Sequence, residues 1–360
     1  IPGNVWLYSV PSSAVQLETQ PPIRVGGVSV TNSAIQAGVP LRLAMKDSYL
    51  YTFTFLQGLQ VVDLNQVISE YQQASPTEFG TAMSTDGEGF ATDAVINTIP
   101  LTLASGGNAT MFGLKADDFA TSGAQGTAAT QTLLVATGQV PFIMADPTLS
   151  SSSAILYPAT SNGGLSQAPM SLAGNPAEQL VTGQAVALGT ISVTDSSGNT
   201  TNKHVAVVVG SGIVSSGGAL VPVLAVVDVS QTYSPGSPFS PSLIGLLQLS
   251  TEGFDVVLNG SVALVSTGTN VLMVNLANPS QPTYAGQITG DFGDYLALAN
   301  SNTLLGDTAN TTSTGVQTAD LTGNLPPPNP NLGRCAKKHN QNVAGCPIDL
   351  TNGNVYVGQS

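Results

Sequence analysis

The chain predicts an all-β fold, a β-propeller of about seven (six to eight) four-stranded blades with long loop insertions. Three observations predict it. Apolar runs last four to eight residues and are cut by Gly, Asn, Ser or Pro, which is strand punctuation. β-branched and aromatic residues fill those runs, as a half-buried pleated surface prefers. A strand with a small apolar-acid or apolar-polar ending recurs along the chain, and the later copies stand about 45 residues apart, the length of one blade.

The recurring strand first comes as Val5-Trp6-Leu7-Tyr8-Ser9-Val10-Pro11, then as Gly58-Leu59-Gln60-Val61-Val62-Asp63-Leu64. It returns at Val140 to Pro147, Val223 to Ser230, Val271 to Pro279 and Gly315 to Leu321. A second strand precedes each later copy, at Tyr49 to Phe55, Thr132 to Thr137, Val205 to Val209, Ser261 to Ser266 and Asn302 to Gly306. A third precedes that in the better copies, at Pro40 to Met45, Phe254 to Leu258 and Asp294 to Ala299. Helical spacing is confined to a turn or two within Asp63 to Gln73.

Two intervals between copies are nearly double. Residues 90–119 are candidates for a weak extra blade ending at Met111 to Lys115, and residues 150–200 read as Ser/Gly/Asn/Pro-rich insertions. The expected organisation is therefore a single domain over 1–360, with an insertion-rich half at 65–200. A Pro-rich, disulfide-closed loop is expected at 322–350. The final Gly353-Asn354-Val355-Tyr356-Val357-Gly358 has the pattern that precedes a signature strand, and Val5 to Val10 is such a strand. The two termini are expected to share a last blade and so leave no open sheet edge.

Here the repeat resembles a known family. Leu43-Ala44-Met45-Lys46-Asp47-Ser48-Tyr49-Leu50-Tyr51, followed by Gly58 to Leu64, resembles the LVIVD-type β-propeller repeat of large bacterial and archaeal secreted or cell-surface proteins. The copy at Val271 to Pro279 is also similar. The resemblance implies a module of a larger protein that works by contact, not a free enzyme.

Composition agrees with an extracellular or cell-surface location. Charged residues make up 8% of the chain, against roughly 25% in ordinary soluble domains. Hydroxyls and amides take their place. The formal net charge of −13 disfavours the basic face that phosphate contacts need, so nucleic acid is not an expected partner. No apolar run reaches the length of about 18 residues that membrane insertion needs. The chain has no initiator Met and no signal peptide, and reads as a processed or excised piece of something longer.

Candidate chemistry is sparse. The two histidines, His204 and His339, read as surface residues, and Gly210-Ser211-Gly212 reads as a turn rather than a nucleophile elbow. Asp86, Glu88 and Asp93 could offer three hard oxygens to Ca²⁺, where full coordination takes six to eight. Calcium is thus the one candidate ion, and no cofactor is expected. Cys335 and Cys346 close a short polar loop and are expected to form a disulfide. Asp117 and Asp118 should point apart on a strand, and Asp291 and Asp294 should flank a turn. Asp63, Asp146, Asp228 and Asp320, with Asn275 at the fifth copy, should cap the turns that follow the signature strands.

The expected function is a non-enzymatic scaffold or adhesion module of a larger surface or filamentous assembly. Its partners would be other domains of a longer parent chain or neighbouring subunits. The alternatives are a carbohydrate-active propeller of hydrolase or lyase type, with carboxylates on one face, and a calcium-dependent adhesin. The first needs two carboxylates about 5 to 10 Å apart in a cleft. Aromatics at 6%, with Trp6 the sole tryptophan, leave few platforms for a sugar.

Overall fold

A computed structural model describes residues 4–9, 23–29, 40–54, 57–73, 94–122, 129–160, 164–194, 199–290 (without 216 and 236), 292–308 and 316–322. The expected calcium ligands Asp86, Glu88 and Asp93, the cysteines Cys335 and Cys346, His339, Asp291 and the terminal stretch 353–358 lie outside these residues.

The chain is all-β, with blades of the β-propeller type, and divides into two compact units. The first comprises Ile1–Gln167 and Tyr233–Phe239; the second comprises Ala168–Thr232 and Ser240–Ser360.

In the first unit, β1 (Asn4–Ser9) and β2 (Ile23–Ser29) form an antiparallel ribbon. Blade one is β3 (Pro40–Lys46), β4 (Tyr49–Thr54), β5 (Gly58–Asp63) and β6 (Val95–Ile99), an antiparallel meander. Between β5 and β6 runs helix α1 (Leu64–Gln73). Blade two is β7 (Met111–Ala120), β8 (Thr130–Gly138), β9 (Ile143–Ala145) and β10 (Ile155–Tyr157).

The two faces of blade one have different neighbours. Tyr51, Phe53, Leu59, Val61 and Ile99 pack on Leu114, Leu134 and Ala136 of blade two. Leu50 and Val62, on the opposite face, join Val5 and Val28 of the ribbon and Val67 of α1. Strand alternation sends successive side chains to opposite faces, so a run such as Tyr49–Thr54 serves both interfaces.

In the second unit, blade three is β12 (Asn175–Thr194), β13 (Thr200–Ile213), β14 (Val221–Asp228) and β15 (Ser242–Gln248). The short β11 (Met170–Leu172) pairs with β12 antiparallel and with β15 parallel, which closes this sheet on itself. Blade four is β16 (Asp255–Asn259), β17 (Val262–Ser266), β18 (Asn270–Asn275) and β19 (Thr283–Thr289). Blade five shows three strands, β20 (Phe292–Asn300), β21 (Thr303–Thr308) and β22 (Val316–Asp320). Val207, Val209 and Val226 of blade three share a core with Val256, Val265 and Val274 of blade four. Leu264 and Met273 of blade four share another with Phe292, Leu296 and Leu304 of blade five.

The described residues therefore form five blades, which corrects the expected seven. Among the described residues, the doubled intervals hold no extra blade. Val95–Ile99 is the fourth strand of blade one and Met111–Ala120 the first of blade two. Within 150–200 the chain forms β10, β11 and the 20-residue β12. Blade repeats lengthen here because α1 and residues 74–93 come between β5 and β6, and because the β12–β13 hairpin is long.

Gly210-Ser211-Gly212 lies inside β13, paired on both sides, rather than in a turn. Glycine is required there. A Cβ on Gly210 would collide with the Thr182 carbonyl of β12, where the ladder between Leu180 and Ala185 shifts register twice. Phe292 and Gly293, expected in a turn, instead begin a strand, Phe292–Asn300, which takes in the expected strand Asp294 to Ala299 and on which Asp294 is exposed.

Candidate functional site

The signature positions were the foremost candidates, so their carboxylates come first. Asp63 Oδ1 accepts from Asn65 N–H at 2.9 Å and from Gln66 N–H at 3.4 Å, and so caps the N-terminus of α1. Asp146 Oδ1 accepts from Thr148 N–H at 2.9 Å. Asp228 Oδ1 accepts from Ser230 N–H at 3.0 Å, and Asn275 Oδ1 from Ala277 N–H at 2.9 Å. Asp320 Oδ1 accepts from Thr322 N–H at 2.7 Å. Five copies make the same bond to the amide two residues on. Either Asp or Asn serves, because only the proximal oxygen is used.

The main chain repeats alongside. Leu64, Val229, Leu276 and Leu321, each one residue past the cap, donate N–H to the carbonyls of Ser48, His204, Ser261 and Asn302. The turn after each of these signature strands is thereby tied to the strand before it, just ahead of its first residue in three copies and within β13 at His204.

Two caps carry additional partners. Asp146 is 2% exposed and accepts from the Tyr233 hydroxyl at 2.7 Å, from Thr148 Oγ1 at 2.6 Å and from Gln131 Nε2 at 3.4 Å. Tyr233 arrives on the segment Tyr233–Phe239. That segment is held by Tyr233 N–H to Ala120 O, Ser122 N–H to Tyr233 O and Phe239 N–H to Leu156 O. Phe239 meets Phe119 edge-to-face, 5.9 Å between ring centres. Sequence reasoning passed over this segment. The available signal was a pair of aromatics in a Pro- and Ser-rich stretch, since apolar bulk in a loop implies docking.

Asp228 Oδ2 accepts from Lys203 Nζ at 2.6 Å. Burial pushes the Asp228 carboxyl up, but the Lys203 ammonium and the bonds from Ser230 outweigh it and leave it below the usual carboxylate range. His204, beside this pair, sits in β13, half-buried, with its backbone N–H donating to Ser230 Oγ at 3.0 Å. In the first unit, Lys46 bridges β3 to β7 through Asp118 at 2.8 Å and Asp117 at 3.9 Å. The adjacent aspartates, expected to diverge, both reach one ammonium. The hydrogen bond from Lys46 to Asp118 raises the Lys46 pKa.

Two further acids of the second unit hold backbone. Asp255 Oδ2 accepts from Leu296 N–H at 2.9 Å and Asp307 Oδ1 from Tyr295 N–H at 2.7 Å, both supporting the irregular start of β20. Among the described residues, no group of three His, Cys, Asp or Glu is placed to hold a metal ion. No helix among them is long and apolar enough to cross a membrane.

The chemistry this arrangement performs is fixation of turns and strand ends. Each signature acid faces backbone donors, hydroxyls or a lysine. Compared with known proteins, the chain matches no family model and no curated protein.

Proposed function

We propose that this chain is a non-enzymatic scaffold or adhesion module of the LVIVD type, working outside the cell through protein contacts within a larger surface assembly. One observation carries this reading: the repeated acids are engaged as turn caps. A carboxylate that accepts from the amide two residues on, and in two copies from a buried tyrosine or a lysine as well, is held for structure. General acid–base work needs a carboxylate turned toward a substrate proton instead. The scarcity of charge supports the same reading, because a surface of hydroxyls and amides suits broad, weakly charged contacts.

The test is a turnover screen of the full chain against polysaccharide hydrolase and lyase substrates, with and without calcium. No turnover above blank is expected. Reproducible activity abolished by one carboxylate substitution overturns the reading.

A further inference from the structure

The two oxygens of Asp146 have separate partners. Oδ1 accepts from Thr148 N–H, Thr148 Oγ1 and Gln131 Nε2, all within blade two and its turns. Oδ2 accepts from the Tyr233 hydroxyl. Asp146 N–H also donates to Ala154 O at 2.8 Å. The carboxylate is thus held by its own blade, with one oxygen turned to the incoming segment. Around it, Ala120 O and Ser122 N–H stand at the end of β7, one edge of blade two, and Leu156 O stands in β10, the other edge. Edge strands offer such backbone groups for pairing, and Thr121 bridges Tyr233 in parallel. Phe119 adds a ring. Blade two builds this socket from its own residues.

The segment in the socket is equally self-contained. Tyr233–Phe239 lies in the chain between β14 and β15. Among its described residues, only Tyr233 and Phe239 are buried, and Ser234 Oγ, half-buried, lies 2.6 Å from Ser122 Oγ. Ser237 N–H donates to Ser234 O at 2.9 Å, which closes the turn. Gln231 Oε1 accepts from Ser240 N–H at 2.9 Å, which closes the stem. Pro235, Pro238 and Pro241 restrict the chain further. A loop shaped in advance loses little conformational entropy on docking. β13, by contrast, is laddered to a neighbour on each side. A segment anchored by two buried rings opens at lower free energy than such a strand.

We propose that this end of blade two is a recognition socket for a proline-stiffened segment with Tyr and Phe six residues apart, filled by the chain's own loop, which leaves and re-enters as a unit while the blades stay folded. The tyrosine hydroxyl is the selective group, because Phe in its place leaves Asp146 Oδ2 buried without that donor. The socket acts within the chain and stands independently of the scaffold reading.

The probe is a fluorescent synthetic peptide of residues 229–241, whose anisotropy is titrated with the full chain. The variant Tyr233→Ala with Phe239→Ala empties the socket and should bind the peptide saturably, one to one. Wild type should bind at least about tenfold more weakly, since its own loop fills the socket at an effective concentration of the order of mM. The Tyr233→Phe peptide should bind the emptied variant about tenfold or more weakly than the native peptide. A folded variant that fails to bind overturns the proposal, as does equal binding by wild type, which places the peptide elsewhere. Hydrogen exchange on wild type keeps the proposal testable should the variant not fold. The amides of Ser122, Tyr233 and Phe239 should exchange together and faster than those of β13. Tyr233→Phe should speed these three about tenfold or more and leave β13 unchanged. Exchange of the three at the β13 rate overturns the proposal, because the loop then leaves only when the blades unfold.

Discussion

The Tyr233 hydroxyl donates to Asp146 Oδ2 at 2.7 Å, between side chains that are 1% and 2% exposed and 87 residues apart in the chain. A local turn cap is thereby made the anchor of a distant segment. Tyr233→Phe removes one donor from a buried carboxylate and should cost about 1.5–3 kcal/mol in urea unfolding. Tyr233→Ala should cost more, about 3–5 kcal/mol, because a ring-sized cavity is added. Wild-type stability for Tyr233→Phe would show that the hydroxyl contributes nothing.

Asp63 caps α1 through the amides of Asn65 and Gln66. Asp63→Ala should destabilise by about 0.5–2 kcal/mol, and Asp63→Asn should lie close to wild type. The same order is expected at position 275, where Asn already serves. Thermal melts of the four variants check it.

Thr52 and Thr54 are fully buried on β4, and neither Oγ1 has a hydrogen-bond partner. Unsatisfied buried hydroxyls are unfavourable by about 1–3 kcal/mol each. Thr52→Val keeps the shape and removes that burden, so it should raise the melting temperature. Ala136 and Val265 already occupy the equivalent position in blades two and four. A lower melting temperature for Thr52→Val would refute this.

The folded pKa of Asp228 lies below its unfolded value of about 3.9. Its contribution to stability is therefore complete above that value and is lost as pH falls through the lower, folded pKa. Asp228→Asn should be less stable than wild type at pH 7, with the gap narrowing on acidification below about pH 4. Added salt should narrow it too, since the Lys203 side chain is 37% exposed. Urea titrations across pH, with and without 1 M salt, provide the check.

At Gly210, a Cβ would meet the Thr182 carbonyl, a backbone atom that cannot turn aside. Gly210→Ala should cost about 1–3 kcal/mol, measurable by urea unfolding. A neutral substitution would show that β12 can shift at its bulge.

The strands around each signature copy were legible because alternation, β-branching and the Asx turn are local properties of a few residues. Gly58–Asp63, Val221–Asp228 and Asn270–Asn275 fall where the pattern placed them. The cap at Asp or Asn was legible for the same reason, since its bond reaches only two residues on. The number of blades was not. Met111–Ala120 reads Met-Phe-Gly-Leu-Lys-Ala-Asp-Asp-Phe-Ala, which the pattern took as the end of a weak extra blade, whereas it is the first strand of blade two and meets Lys46 of the neighbouring blade through Asp117 and Asp118. The long β12 was hidden by its Gly, Thr and Gln, which suit a strand only when a partner lies alongside.

By itself, then, the sequence determined an all-β repeat with capped turns, because those follow from neighbours in the chain. Only the tertiary structure decided that the described blades number five and that Tyr233 seals Asp146. Each of these depends on pairing between residues far apart in the chain, whose free energy is set by packing and desolvation at the interfaces and leaves no local trace.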